Sequence, residues 1–147
     1  MDDIDIKINC EEIKIISFHL NLDDFKDKKF NSKDKINFKF SLNTEVNMKQ
    51  DILIMLLQII YEYENQNICF LKISFKYKVT GLKNIAKVEN KDILIPSKII
   101  KKLNANAIST SRGVLFEKTA GTNLEDIYLP LTNLDEFIKK ENLAFPG

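Results

Sequence analysis

The sequence predicts an α+β fold, in which a four-stranded antiparallel sheet is followed by a long helix and a short C-terminal helix. Four segments with the alternating pattern of β-strands lie within residues 1–92. Apolar residues then recur at helical spacing from Pro96 onward. Short connections favour antiparallel neighbours, and helices gathered at one end of a chain pack on one face of the sheet. We therefore expect a single domain over residues 1–147, with strands and loops in 1–92 and helices in 93–147.

The first two strands follow from strict alternation. Isoleucines alternate with polar residues from Ile4 to Ile8, and the pattern resumes with a changed phase up to Leu20, which predicts a strand with a bulge near residues 10–12. The second strand, Ile36 to Leu42, has the most regular alternation in the chain.

The connection between these strands, Leu22 to Asp34, is charged and has no period. It nevertheless carries Phe25 and Phe30. We expect a loop that exposes both aromatic side chains.

The third segment has the pattern of a central strand, and the fourth strand follows it after a hairpin turn. The segment Ile52 to Tyr63 is apolar on both faces at first, which is typical of a central strand or of one covered on both sides. A hairpin turn at 64–67 leads into Cys69 to Val79, whose outer face is lined with lysines. The following residues, Leu82 to Asp92, are predicted to be a mixed loop.

The long helix is predicted to begin near Pro96, because proline is well suited to a first helical turn. Gly113 lies inside this helix and costs about 0.5–1 kcal/mol relative to alanine, so we expect close packing of another backbone there. The residues at helical spacing form two adjoining apolar stripes: Ile99, Leu103, Ala107, Thr110 and Val114, and Ile100, Ala107, Ile108 and Leu115.

The short C-terminal helix is predicted to begin at Thr132 or Asn133, since each has an acidic residue three positions later. Its apolar stripe comprises Leu134, Phe137 and Ile138, and Leu143 and Phe145 continue the apolar line. This stripe is expected to pack against one of three partners, which are the chain's own sheet, a neighbouring subunit and a ligand. An exposed contiguous apolar patch would mark an interaction site.

The composition excludes several classes of partner. The chain has 22 basic and 21 acidic residues, well mixed, with a net charge of +1, so neither nucleic acid nor a membrane surface is an expected partner. Cys10 and Cys69 are far apart in the sequence and are expected to be buried thiols, with a disulfide between them as the alternative. The N-terminus lacks the pattern of a signal peptide, and the apolar run 52–60 is far shorter than the about 20 residues of a transmembrane helix. We expect a cytoplasmic protein that does not insert into membranes.

The sequence shows little that could carry catalysis. His19 is the only histidine, and no glycine-rich phosphate loop or nucleophile elbow is present. We therefore expect no enzymatic activity, no metal site and no cofactor.

Short elements in the C-terminal half suggest a family. Between Ile108 and Phe137 lie, in order, Ser111-Arg112-Gly113, Leu129-Pro130, Asn133-Leu134-Asp135 and Phe137. This run resembles the C-terminal half of the SecB protein-export chaperones and the wider SecB-like group, in which a long helix carries such a serine-arginine-glycine element. The predicted order of strands resembles that family as well.

The resemblance implies an ATP-independent chaperone, or holdase, that binds unfolded or nascent polypeptides in apolar grooves. It also implies a homo-oligomer, a dimer of dimers, in which long helices pack against each other through small residues. The residues that the resemblance assigns to clients are Phe25, Phe30, Leu134, Phe137 and Ile138. Those assigned to helix packing are Ala105, Ser109, Arg112 and Gly113.

One departure from the family changes the expected partners. Export SecB presents carboxylates on its sheet to the SecA motor, whereas the corresponding strand here carries Lys72, Lys76 and Lys78. We therefore do not expect SecA delivery, and favour a general holdase or a relative that serves the antitoxin of a toxin–antitoxin pair. The alternative is a non-catalytic adaptor with one fixed protein partner, and a small-ligand binder with a pocket between sheet and helix is a third possibility.

Overall fold

A computed structural model describes residues 6–130 and 142–146 of the chain. Its larger sheet has four antiparallel strands in the order β1-β4-β3-β2. These strands are β1 (Ile8–Leu20), β2 (Asn37–Asn47), β3 (Ile52–Tyr63) and β4 (Gln66–Val79). The α+β class and the four-stranded antiparallel sheet are thus confirmed, and β3 and β4 occupy its middle.

Local sequence explains the connections within this sheet. The β3–β4 hairpin turns at Glu64 and Asn65, which both have positive φ angles, of 49° and 61°. The pairing of β1 with β4 is irregular between Cys10 and Glu12, which confirms the predicted bulge, and again between Ile15 and Ser17. The sequence did not predict the second irregularity.

The helical half of the chain contains strands that the sequence analysis did not predict. After the one-turn helix α1 (Leu82–Ile85), β5 (Lys87–Glu89) and β6 (Asp92–Pro96) form a hairpin where we expected a loop. β7 (Asn142–Pro146) pairs antiparallel with β6, so Leu143 and Phe145 lie on a strand and do not extend a helix. Segments of three to five residues are too short to establish a period, and their pairing partners are distant in sequence.

The long helix α2 (Ser97–Thr119) begins directly after Pro96, as predicted. It packs across one face of the large sheet, over β4, and contacts β6 and β7. Its buried residues are Ile99, Ile100, Leu103, Asn104, Ala107, Ile108, Ser111, Leu115 and Thr119. These join the inward-facing residues of β3 and β4 in one core. Asn104, Ser111 and Thr119 are the polar exceptions. The Thr119 hydroxyl donates to the Leu115 carbonyl oxygen at 2.8 Å, whereas neither Ser111 Oγ nor Asn104 Oδ1 has a hydrogen-bond partner among the described residues.

The predicted C-terminal helix lies outside the described residues, because it falls within 131–141. In the part of the chain that the structure describes, no helix is both long and apolar enough to span a membrane.

Candidate functional site

Phe25 and Phe30 occupy a packed aromatic cluster and not an exposed loop. Phe30 has no exposed surface, and Phe25 is half-buried. The rings of Phe25, Phe30 and Tyr63 meet edge to face, with centroids 5.0 to 5.7 Å apart. The Phe30 N–H donates to the Asn123 carbonyl oxygen at 3.0 Å, and the Asn123 side chain donates to the Phe25 carbonyl oxygen at 3.0 Å.

The expectation that Phe30 is exposed is therefore wrong, and in this conformation Phe30 is out of reach of a client. Besides its neighbour Phe25, Phe30 contacts Tyr63 and Asn123, which are more than 30 positions away in sequence, and no local pattern predicts such contacts. The other three candidate client residues, Leu134, Phe137 and Ile138, lie outside the described residues.

The small residues predicted to pack between helices lie on an open face of α2. Ala105, Ser109 and Gly113 are exposed. A Cβ atom added at Gly113 would have no neighbouring atom within 4 Å among the described residues. The close packing expected at Gly113 is therefore not found in residues 6–130 and 142–146. Arg112, the fourth predicted residue, is half-buried, and its Nε donates to the Leu129 carbonyl oxygen at 3.0 Å.

A groove runs between the C-terminal half of α2 and the segment 127–129. Its cavity measures about 260 Å³. At its rim, Phe116 and Tyr128 are 62% and 60% exposed and stack with centroids 6.2 Å apart and planes 19° apart. The residues lining this groove, called the α2 groove below, are Tyr61, Ser109, Arg112, Gly113, Leu115, Phe116, Ile127, Tyr128 and Leu129.

The sequence analysis assigned no role to Phe116, Ile127 or Tyr128. One signal was available, because Phe116 is a large aromatic residue outside both predicted apolar stripes of the helix. Tyr128 gives no comparable signal, since only the fold brings it next to Phe116.

The charge of the α2 groove is set by Arg112, the only arginine in the sequence. Among the described residues, no carboxylate lies within salt-bridge distance of its guanidinium. The nearby segment carries Glu125 and Asp126, but both pair with Lys29, at 2.9 and 3.4 Å. The hydrogen bond from Lys29 lowers the pKa of Glu125, so this carboxylate stays ionised and engaged.

A second apolar surface lies on the edge strand β1. Ile13, Ile15 and Ile16 are 41 to 48% exposed. Ile13 and Ile15 sit opposite Phe75 and Ile73 of β4, both fully buried on the helix side of the sheet. The helix covers β4 but leaves these isoleucines of β1 open.

The face of the large sheet that points away from α2 has a mixed character. Ile54, Leu56 and Ile60 of β3 are half-buried there, and the lysines of β4 run beside them. Those lysines are Lys72, Lys76 and Lys78, as the alternation predicted. Lys76 lies 4.0 Å from Glu11, and Lys78 donates to the Gln50 carbonyl oxygen at 2.6 Å.

No arrangement of catalytic groups is found in the described residues. No group of three or more histidine, cysteine, aspartate and glutamate side chains there could hold a metal ion. His19 stacks on Phe70 with a centroid distance of 6.0 Å. Cys69 is buried, as expected, whereas Cys10 is exposed. Burial raises the pKa of the Cys69 thiol to about 12, so this thiol is a poor nucleophile at neutral pH.

Comparison with known proteins leaves the family open. No protein-family model matches the chain, and no curated protein matches it significantly.

Proposed function

We propose that this protein is an ATP-independent holdase, a SecB-like chaperone of the cytoplasm that binds unfolded or nascent polypeptides without catalysing a reaction. The observation that carries this proposal is the α2 groove, whose rim exposes the stacked rings of Phe116 and Tyr128. Exposed adjacent aromatic residues beside a groove are typical of binding surfaces. Clients would gain affinity by burying apolar side chains there, at about 25 cal/mol per Å².

Such a contact would not be sequence-specific. The aromatic and aliphatic side chains of the groove would contact a client through burial of apolar surface, which does not depend on the order of residues in the client. Weak sites repeated in an oligomer would bind one extended client at several points, which raises the overall affinity without any new type of contact.

We propose that the homo-oligomer forms through the β1 edge and the small-residue face of α2. An exposed edge strand with apolar side chains favours pairing with another strand. An antiparallel pair of β1 strands centred on Ile13 places Glu12 of each copy opposite Lys14 of the other. A register shifted by two residues places Glu12 opposite Glu12, or Lys14 opposite Lys14. The charges of β1 are therefore self-complementary in one register.

The charge of the outer sheet face bears on the class of client or partner that the protein would bind. The lysines beside aliphatic residues on the outer sheet face would repel a basic docking partner. Their charge is opposite to that of the acidic surface that export SecB presents to SecA. We favour a general holdase or a chaperone of an antitoxin. The same face supports the alternative function, an adaptor whose one fixed partner carries acidic residues around an apolar centre.

Suppression of aggregation tests the holdase proposal. A reduced, unfolded client should stay soluble at equimolar protein without ATP, and the double variant Phe116→Ser/Tyr128→Ser should lose most of this effect. Val88→Ser is the matched control, since Val88 is 71% exposed but lies on the small sheet, in β5. Equal suppression by the double variant and the control would refute the role of the groove. A stoichiometric complex with one protein and no effect on unrelated clients would favour the adaptor.

Cross-linking tests the proposed β1 pairing. In a Cys10→Ser background, Ile13→Cys should form an intersubunit disulfide readily, because directly opposed Cβ atoms in a strand pair lie about 4.5–5.5 Å apart. Val88→Cys in the same background serves as the control and should not cross-link. A monomeric mass in solution, with no Ile13→Cys cross-link, would contradict this pairing.

A further inference from the structure

We propose that the α2 groove binds a carboxylate that is joined by a short linker to an apolar ring or side chain. This chemistry occurs at the C-terminus of a polypeptide and in small aryl or alkyl carboxylates. The inference rests on the proposed function in one respect, that the groove is open to a ligand.

One hydrogen bond orients the Arg112 side chain in the α2 groove. Its Nε donates to the Leu129 carbonyl oxygen, and this bond fixes the plane of the guanidinium against the far wall of the groove. The hydrogen bonds found among the described residues leave the two Nη groups without a protein acceptor. A fixed guanidinium with two parallel donors matches a carboxylate in geometry and charge.

Arg112 is the one arginine among the 22 basic residues of the sequence. Every other basic residue of the chain is lysine. A lysine at position 112 would supply a charge but could not hold Leu129 and present a planar fork at the same time. The position therefore uses a property that is specific to arginine.

The groove residues contributed by α2 are spaced at helical intervals. Ser109, Arg112 and Phe116 follow one another at intervals of three and four residues, so they share one face of the helix. With a rise of about 1.5 Å per residue, Arg112 and Phe116 are separated by about 6 Å along the axis. The Arg112 guanidinium thus lies at one end of the α2 groove and the Phe116–Tyr128 pair at the other. This spacing suits a ligand whose carboxylate lies about one ring length from its apolar group.

The size of the α2 groove limits the ligand that it can hold. A cavity of about 260 Å³ is slightly smaller than the about 300–1,000 Å³ typical of sites for drug-sized ligands. It suits one aromatic or branched aliphatic group with a carboxylate, and not an extended fatty acid.

The two acidic residues of the described segment before the groove wall do not compete for Arg112. Glu125 and Asp126, which precede the groove wall, are held by Lys29. A ligand carboxylate would thus meet a guanidinium that has no ion-pair partner among the described residues.

Binding of matched probes tests this inference. N-acetyl-L-phenylalaninate and its neutral amide have nearly the same shape, and so do a short glycine-rich peptide ending in phenylalanine carboxylate and its C-terminal amide. Titrations followed by NMR or calorimetry should show roughly tenfold or more tighter binding of the carboxylate in at least one pair. Arg112→Gln should remove this preference, while Lys118→Gln, at an exposed cation of the same helix, should keep it.

Each outcome decides the question. Preference for the peptide acid alone identifies a chain terminus as the ligand, and preference for the small acid identifies a free carboxylate, so both support the site. Equal binding of acid and amide in both pairs, or no binding of any probe, overturns the proposed carboxylate site. This comparison uses the unaltered protein, so it remains decisive even if Arg112→Gln fails to fold. Carboxylate binding without suppression of aggregation would leave the site standing and refute the holdase proposal.

Discussion

Replacement of Phe30 by alanine should strongly destabilise the protein, although Phe30 lies in a connection that the sequence identifies as a loop. Its ring has no exposed surface and meets the rings of Phe25 and Tyr63 at centroid distances of 5.7 and 5.0 Å. Phenylalanine-to-alanine changes at fully buried sites cost about 3–5 kcal/mol, through lost burial and the cavity left behind. Since domains of this kind are stable by about 5–15 kcal/mol, Phe30→Ala would remove a large part of the free energy of unfolding.

Urea unfolding followed by circular dichroism measures this change as a shift of the midpoint at an unchanged slope. Phe116→Ala is the matched control, because the same substitution at a side chain that is 62% exposed should change the free energy of unfolding by about 0.5 kcal/mol or less. Equal midpoints for Phe30→Ala and Phe116→Ala would refute the packing described for the first connection. Loss of client binding by a fully stable Phe30→Ala would restore the original assignment of Phe30 to the client site.

Three further predictions follow from single groups. Tyr77→Phe should lower the free energy of unfolding, measured in urea, by about 0.5–1.5 kcal/mol, because the Tyr77 hydroxyl donates to a side-chain amide oxygen of α2 at 2.8 Å. Tyr61→Phe should leave this free energy unchanged, since the buried Tyr61 hydroxyl has no partner among the described residues. A thiol reagent at pH 8 should label Cys10 in the native protein and Cys69 only after unfolding, and rapid labelling of both would contradict the burial that raises the pKa of Cys69 to about 12. Asp34→Asn should lower the urea midpoint at pH 7 but have no effect on it near pH 2. A lysine ammonium 2.8 Å away lowers the pKa of Asp34 in the native protein. The ion pair therefore stabilises the protein above the unfolded pKa of about 4, and this contribution is lost as the pH falls through the native pKa. A midpoint difference that persists at pH 2 would exclude this ion pair as its cause.

The sequence analysis was most successful where one local period extends over many residues. The four long strands and the start of α2 at Ser97 follow from alternation and from Pro96, and the bulge near Cys10 follows from a change of phase. The hairpin β5–β6 and the strand β7 were missed. Each of these strands has at most five residues, so its pairing depends on partners that the local pattern does not identify.

The candidate site could be predicted only in part. Arg112 and Gly113 stood out in the sequence because the chain has one arginine and because a glycine inside a helix is costly, and both line the α2 groove. Their neighbour across the groove, Tyr128, could not be identified, since its contact with Phe116 joins two segments through the turn that follows α2.

Local patterning was enough to predict the α+β class, the antiparallel pairing of strands joined by short turns and the lysine-lined outer face, because binary patterning and short connections act locally. The pairing of β1 with β4, which are separated by β2 and β3 in the sequence, was decided by the tertiary structure. Only the tertiary structure decided which apolar residues are available to a partner. Phe30 and Phe116 are both aromatic residues outside a regular apolar stripe, yet one is fully buried and the other is 62% exposed. Exposure is a property of the packing of distant segments: the loop that contains Asn123 closes over Phe30, and no described residue closes over Phe116 in the same way.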